Sequence, residues 1–404
     1  MKVHLTKIKY SYLSFLLLFP GFFLYNILIA KNYISPVLGG YFGIVSGFVL
    51  LSYIILYILK SKSIYISGLE ILFLVYQLFL IFMYTSYFLL GKPNILTQEI
   101  YFYNMKFCLY NISLYFVAKN LLVTKRFSNL CFILFVIMFI IIIMNFSLEY
   151  KILILQKTAT VEYGKEYIST YQGMGRSLMA TAFIFLSFYL RSKISIFLFL
   201  IVCIALYMNG ARTEFLFTII AYSFLVFYLS SFKNKLYFMF FIGLIVLFIF
   251  VFYDYLPNNR VTNILNISTD LSSIHRIKLM FFSLDKIIES PFIGDYSAYV
   301  FFNGELGDYA HTAIISVWLN LGLFGLIFLT LIMFYIIALV FIGLNRNQAY
   351  DLNFMLFALT SIYFILAFTF TKDYGYMFLG FVVGLYSNYK NNNLILSKKN
   401  DILV

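Results

Sequence analysis

The chain has 404 residues, 63% of them hydrophobic and 22% aromatic, with only 11% charged and a formal net charge of +13. At a mean hydropathy of +0.93 so little polar surface cannot cover a water-soluble particle of 47.3 kDa, which excludes a soluble globular protein and leaves an integral membrane protein. The basic excess suits anionic lipid headgroups, and nucleic acid is not a predicted partner: the basic clusters are two or three residues long and no basic domain exists.

Apolar runs near 20 residues recur along the sequence. Each is long enough for a helix to cross about 30 Å of hydrocarbon. The runs are continuous, not alternating, which argues against a β-barrel. The predicted fold class is therefore all-α, a polytopic helical membrane protein forming a single integral membrane domain over residues 1–404. Twelve spans are expected in chain order: 11–30, 37–59, 68–90, 104–123, 129–148, 172–190, 194–208, 213–231, 236–256, 311–344, 352–370 and 375–387. Two external loops are sizeable, a smaller one at 149–171 and a large one at 257–310.

With the N-terminus inside, the inner segments hold 16 basic residues against 3 acidic ones, and the outer segments 13 against 13. The whole net charge then falls on the cytoplasmic face, as the enrichment of Lys and Arg in short cytoplasmic loops requires. An even number of spans returns the C-terminus, with Lys390, Lys398 and Lys399, to the same side. The first span lacks a small-residue cleavage pattern after Pro20, so Lys2, Lys7 and Lys9 read as the inner anchor of a retained helix. Cys108, Cys131 and Cys203 lie inside predicted spans without metal-ligand or redox spacing and are expected to be packing residues.

Residues 257–309 form the only long polar stretch, where Arg260, Asp270, Arg276, Lys278, Asp285, Lys286, Glu289, Asp295, Glu305 and Asp308 crowd together. Loops of this length are usually functional. Inside it, Ile274, Ile277, Phe281, Leu284 and Ile288 recur at intervals of three and four, which predicts a one-sided helix lying on the membrane surface or on neighbouring helices. Ser290 and Pro291 end the pattern. The tenth span, at 34 residues, would be about 51 Å long as one helix. Gly322 and Gly325 offer a place to bend, so 311–321 is expected to form a separate short segment.

Four basic or titratable groups fall at predicted outer helix ends: Arg176, Arg212, Arg276 and His311. Guanidinium forks match phosphate oxygens, so several converging at one membrane face suit a lipid-linked pyrophosphate, although arginines at such positions also serve as interface anchors. Arg212 stands out because it follows a short turn at the start of a helix, where an idle cation is disfavoured and a bound anion is favoured. Glu214, two positions on, either orients Arg212 or complements the helix dipole. His311 can accept a proton or contact a leaving phosphate, and Asp308 and Glu305 precede it closely. His275 adjoins Arg276 and Arg260 opens the polar stretch, which makes both candidate substrate contacts. Tyr163, Tyr167, Tyr171, Tyr296, Tyr299, Phe301, Phe302 and Tyr309 could stack on sugar faces or belong to the interfacial aromatic belt. No P-loop, dinucleotide fingerprint or metalloprotease motif is present, so no cofactor and no metal is predicted.

Three stretches in order, NGARTEF, HRIKLMFFSLDKIIESPFIGDYSAYV and HTAIISVWLNLGLFGLIF, covering roughly residues 209–330, resemble the O-antigen polymerase (Wzy) family within the O-antigen ligase and polymerase superfamily of membrane glycosyltransferases. Thr312 stands where that family usually has Asn after the histidine, and the loop motif of an arginine and a glycine eleven residues apart is missing. The resemblance implies an enzyme of the bacterial inner membrane that joins polyprenyl-pyrophosphate-linked oligosaccharides at the outer face, with undecaprenyl-pyrophosphate-linked oligosaccharide as substrate and a chain-length regulator as a further partner. It implies that Arg212 and Arg276 bind the pyrophosphate, with Arg176 a weaker carry-over, and that His311 acts as base or phosphate contact. The activated donor needs no metal or nucleotide. An O-antigen ligase shares the layout, and a lipid-linked oligosaccharide flippase shares the span count but would need polar groups deep within its helices.

Overall fold

In the computed structural model the described residues are almost entirely helical. The structure describes residues 2–31, 33–35, 40–60, 66–90, 95–147, 152–153, 171–192, 194–230, 235, 271–303, 312–346 and 351–400. The predicted ninth span, most of the 149–171 loop and the 257–270 and 304–310 parts of the large loop lie outside them. Six described helices or helix pairs are long and apolar enough to cross a membrane, within 8–30, 68–90, 125–144, 212–229, 313–345 and 352–370, and two more, 41–56 and 194–209, are apolar but shorter. Large apolar side chains face outward along them at helical spacing, as Ile71, Val75, Leu78 and Phe82 do on one helix and Phe324, Ile327, Leu331 and Phe334 on another. Water does not tolerate such stripes, and lipid does. The protein is a helical membrane protein.

The chain divides into two compact units. The first gathers α1 (Lys2–Leu16), α3 (Tyr41–Lys60), α4 (Gly68–Leu90), α5 (Ile95–Lys119) and everything from residue 271 onward. The second holds α2 (Phe22–Ala30), α6 (Lys125–Met144), the strands β1 (Phe146–Ser147) and β2 (Ile152–Leu153), α7 (Tyr171–Tyr189), α8 (Ile194–Asn209) and α9 (Arg212–Leu229). The two strands pair antiparallel, as a short hairpin after α6.

The first unit continues with α10 (Leu271–Glu289), α11 (Ala298–Asn303), α12 (Ala313–Asn345), α13 (Leu352–Phe370) and α14 (Phe378–Asn400). Its tightest packing is α14 against α5. Gly380 and Gly384 make that approach possible, since a Cβ at these positions would sit 1.9 Å from the Asn111 carbonyl oxygen and 2.4 Å from that of Tyr115. Small residues four apart are a recurrent means of bringing membrane helices together, with side-chain amides as glue. Asn111 Oδ1 accepts from the Gly380 amide at 2.9 Å, and Asn388 Nδ2 donates to the carbonyls of Ala118 and Leu121 at 3.2 and 2.7 Å. The last helix runs to Asn400, well past the 387 expected from hydropathy. Interhelical packing and side-chain bonds such as Asn392 Nδ2 to Asn388 Oδ1 at 2.5 Å extend it where apolar periodicity has ended. Similarly, α5 begins at Ile95, nine residues before its apolar run.

At one end of this unit Ser67 and Glu70 form a capping box at the start of α4: the Ser67 amide donates to Glu70 Oε2 at 2.7 Å, and the Glu70 amide to Ser67 Oγ at 3.4 Å. The fully buried Glu70 carboxylate also takes Lys119 Nζ at 2.6 Å, Tyr115 Oη at 2.5 Å and Ser387 Oγ at 2.8 Å on Oε1. This cluster ties α4, α5 and α14 together.

The long helix α12 breaks where its glycine suggests. Gly322 has φ 65° and ψ −164°, a conformation open to glycine. The break is filled by the 290–297 loop: Phe292 O accepts from the Leu323 amide at 3.2 Å, and Leu319 O from the Asp295 amide at 2.6 Å. Trp318 Nε1 adds a bond to Pro291 O at 2.9 Å. Residues 323–345 remain as a straight stretch of membrane-crossing length.

Candidate functional site

In the second unit the segment containing Arg176 packs on the segment containing Arg212. A Cβ on Gly175 would stand 2.5 Å from Ala211 Cβ, 3.1 Å from Asn209 Nδ2 and 3.6 Å from Glu214 Cγ, so only glycine lets α7 come this close to the turn joining α8 to α9. The turn itself passes through Gly210 at φ 74°. Arg212 is the first residue of α9 and Glu214 lies in its first turn, buried, as is Asn209. Arg176, next to Gly175, is half-buried and its Nε donates to the Gln172 carbonyl at 3.3 Å. Arg176, Arg212 and Glu214 thus flank one contact point at a helix N-terminus, where amide dipoles already favour an anion.

The other candidates belong to the first unit. Arg276 and His275 sit near the start of α10, Arg276 half-buried with its Nε enclosed and without a hydrogen-bond partner among the described residues, His275 exposed. The helix is present as expected, and of the two placements expected for its apolar stripe, on the membrane surface or on neighbouring helices, the stripe is not packed on neighbouring helices. Leu279, Ser283 and Ile287 are buried against Tyr299, Leu319 and Trp318, and Ser283 Oγ bonds Tyr299 Oη at 2.6 Å. Ile277, Phe281, Leu284 and Ile288 are exposed, with Phe292 and Ile293 beyond them. Apolar periodicity alone could not tell a protein-facing stripe from a lipid-facing one, and a stripe carrying serine was the one the fold used. Arg260, Glu305, Asp308 and His311 lie outside the described residues. His311 directly precedes Thr312, the N-cap of α12, whose hydroxyl accepts from the Ile315 amide at 3.2 Å. Threonine is among the preferred N-cap residues, so Thr312 serves this local role.

A further acidic group, absent from the sequence-based candidates, stands at the start of α12. Asp373, in the connection between α13 and α14, accepts from Ser316 Oγ at 2.5 Å and from the backbone amides of Tyr374 and Gly375. Burial raises its carboxyl to about 6, against the pull of those three donors. Asp373 is nevertheless partly exposed. Beside it stand Tyr76 of α4 and Tyr374, whose hydroxyl is bonded to that of Tyr84. Tyr296, within range of Tyr374, stacks on Tyr87 with ring centroids 4.4 Å apart and accepts from Asn104 Nδ2 at 2.7 Å. Lys372 lies with its Nζ 5.5 Å from the Tyr376 ring centre. The sequence signal was present as a Lys-Asp pair between two apolar runs, TKDYGYM, but its brevity hid it beside the long polar loop.

No family model matches the chain, and no curated protein sequence matches it.

Proposed function

We propose that this protein polymerises polyprenyl-pyrophosphate-linked oligosaccharide repeat units, of O-antigen or capsular type, by glycosyl transfer at the outer face of a bacterial inner membrane. In this reading the chain crosses twelve times with both termini cytoplasmic, and the Arg176–Arg212 contact, the 257–310 segment and the start of α12 are all outside. The observation that carries it is the glycine-permitted contact that brings the backbone beside Arg176 against the start of the helix headed by Arg212. Arginines in two adjoining segments at a helix N-terminus are the residue type and setting that suit a diphosphate. The resemblance of their segments to the polymerase family assigns Arg276 and His311 to the same reaction.

A hydroxyl oxygen of the acceptor repeat unit attacks the anomeric carbon of the growing chain, the bond from that carbon to the pyrophosphate breaks, and polyprenyl pyrophosphate leaves with the electron pair. Arginines placed where its charge develops stabilise the transition state more than the ground state. A strain lacking the gene tests the assignment. A polymerase mutant retains lipid A-core carrying a single repeat and regains its glycan ladder on complementation. A bare core would favour a ligase, intermediates trapped inside would favour a flippase, and an unchanged ladder would refute all three.

A further inference from the structure

We propose that Asp373, held by Ser316 at the start of α12, is the carboxylate that takes the proton from the acceptor hydroxyl during transfer; this rests on the polymerase reading above. Three features separate Asp373 from a structural acid. It forms no ion pair among the described residues, whereas Glu70 at the other end of the same unit is locked to Lys119. Its three donors hold one orientation without sealing it, since the residue keeps partial solvent access. Through Tyr374 it also adjoins Tyr296 and Tyr87, stacked and only half-buried, whose rings offer flat apolar faces to a sugar.

The position also suits the topology. Ser316, which holds Asp373, lies five residues after His311 in the sequence. In the step, the acceptor oxygen forms its bond to the anomeric carbon, its proton passes to Asp373, and the donor bond to pyrophosphate breaks. A carboxyl raised to about 6 is ionised at neutral pH and is still a better proton acceptor than an ordinary aspartate. Its titration is set by burial, by the Ser316 hydroxyl of α12 and by the backbone amides of Tyr374 and Gly375; the titratable groups facing it are Tyr76 of α4 and Tyr374, with Lys372 adjoining in sequence.

The test uses the purified full-length chain in proteoliposomes with polyprenyl-pyrophosphate-linked repeat unit, measuring chain extension from pH 5 to pH 8. Wild-type kcat/KM should fall below about pH 6. Asp373→Asn should lower kcat about 100-fold or more with little change in KM, and should abolish the acid limb. Ser316→Ala removes a donor to the ionised form, so the acid limb should move to higher pH. Undiminished extension by Asp373→Asn, or an unmoved limb in Ser316→Ala, overturns the inference while wild-type activity leaves the polymerase reading standing. A wild-type protein that extends no chain overturns both.

Discussion

The two ends of the first unit each hold a buried carboxylate, and they are built for different purposes. Glu70 is completely enclosed and receives an ammonium, a phenol, a serine hydroxyl and a backbone amide, so every one of its neighbours is committed. Asp373 receives a hydroxyl and two amides, keeps some solvent access and pairs with no cation among the described residues. A sealed, satisfied ion pair holds helices in register and its rupture strands a charge. A crowded carboxylate without a counter-ion is instead poised to exchange a proton.

The largest expected effect breaks the sealed end. Glu70→Ala leaves Lys119 uncompensated and should cost about 3–5 kcal/mol, read as loss of protein from the membrane and a collapsed melting temperature in detergent. Replacing both partners, Glu70→Gln with Lys119→Met, should recover much of that loss, and failure to recover would mean the pair does more than hold helices.

Next comes the scaffold of the other end. Leu279→Ala opens a hole under α10 and should cost about 3 kcal/mol in the same melt. Asp373→Asn should change stability by at most about 1 kcal/mol, because burial already disfavours the charged form, while the glycan ladder is lost. Arg212→Ala should behave likewise, with normal membrane levels and no ladder, and Arg212→Lys should restore little because a point charge does not replace the fork. The smallest effect belongs to the exposed stripe. Ile288→Ala should shift stability by less than about 0.5 kcal/mol, and a shift as large as that of Leu279→Ala would reverse the face assigned to α10.

Much of the membrane character was legible because hydropathy is a local property. Residues 68–90 and 352–370 are helices with the limits that their apolar runs mark, and the bend in α12 falls at one of the two glycines flagged for it. Extensions such as 95–103 and 388–400 were not legible, since there the helices continue past the apolar runs that hydropathy marks. The candidate site was legible in part. Arg212 could be recognised from its place at a helix start, but its proximity to the Arg176 segment depends on Gly175, thirty-seven residues away, which no local pattern encodes. Asp373 was missed for the same reason: its partner Ser316 is 57 residues earlier in the chain.

The central claim is that this chain builds glycan from a lipid-diphosphate donor. Its most direct test supplies the purified protein in proteoliposomes with radiolabelled undecaprenyl-pyrophosphate-linked repeat unit and follows chain growth together with release of the lipid diphosphate. The account expects one undecaprenyl pyrophosphate freed for each new linkage, without added metal or nucleotide. Repeat units that remain single, with no lipid diphosphate released, would contradict it.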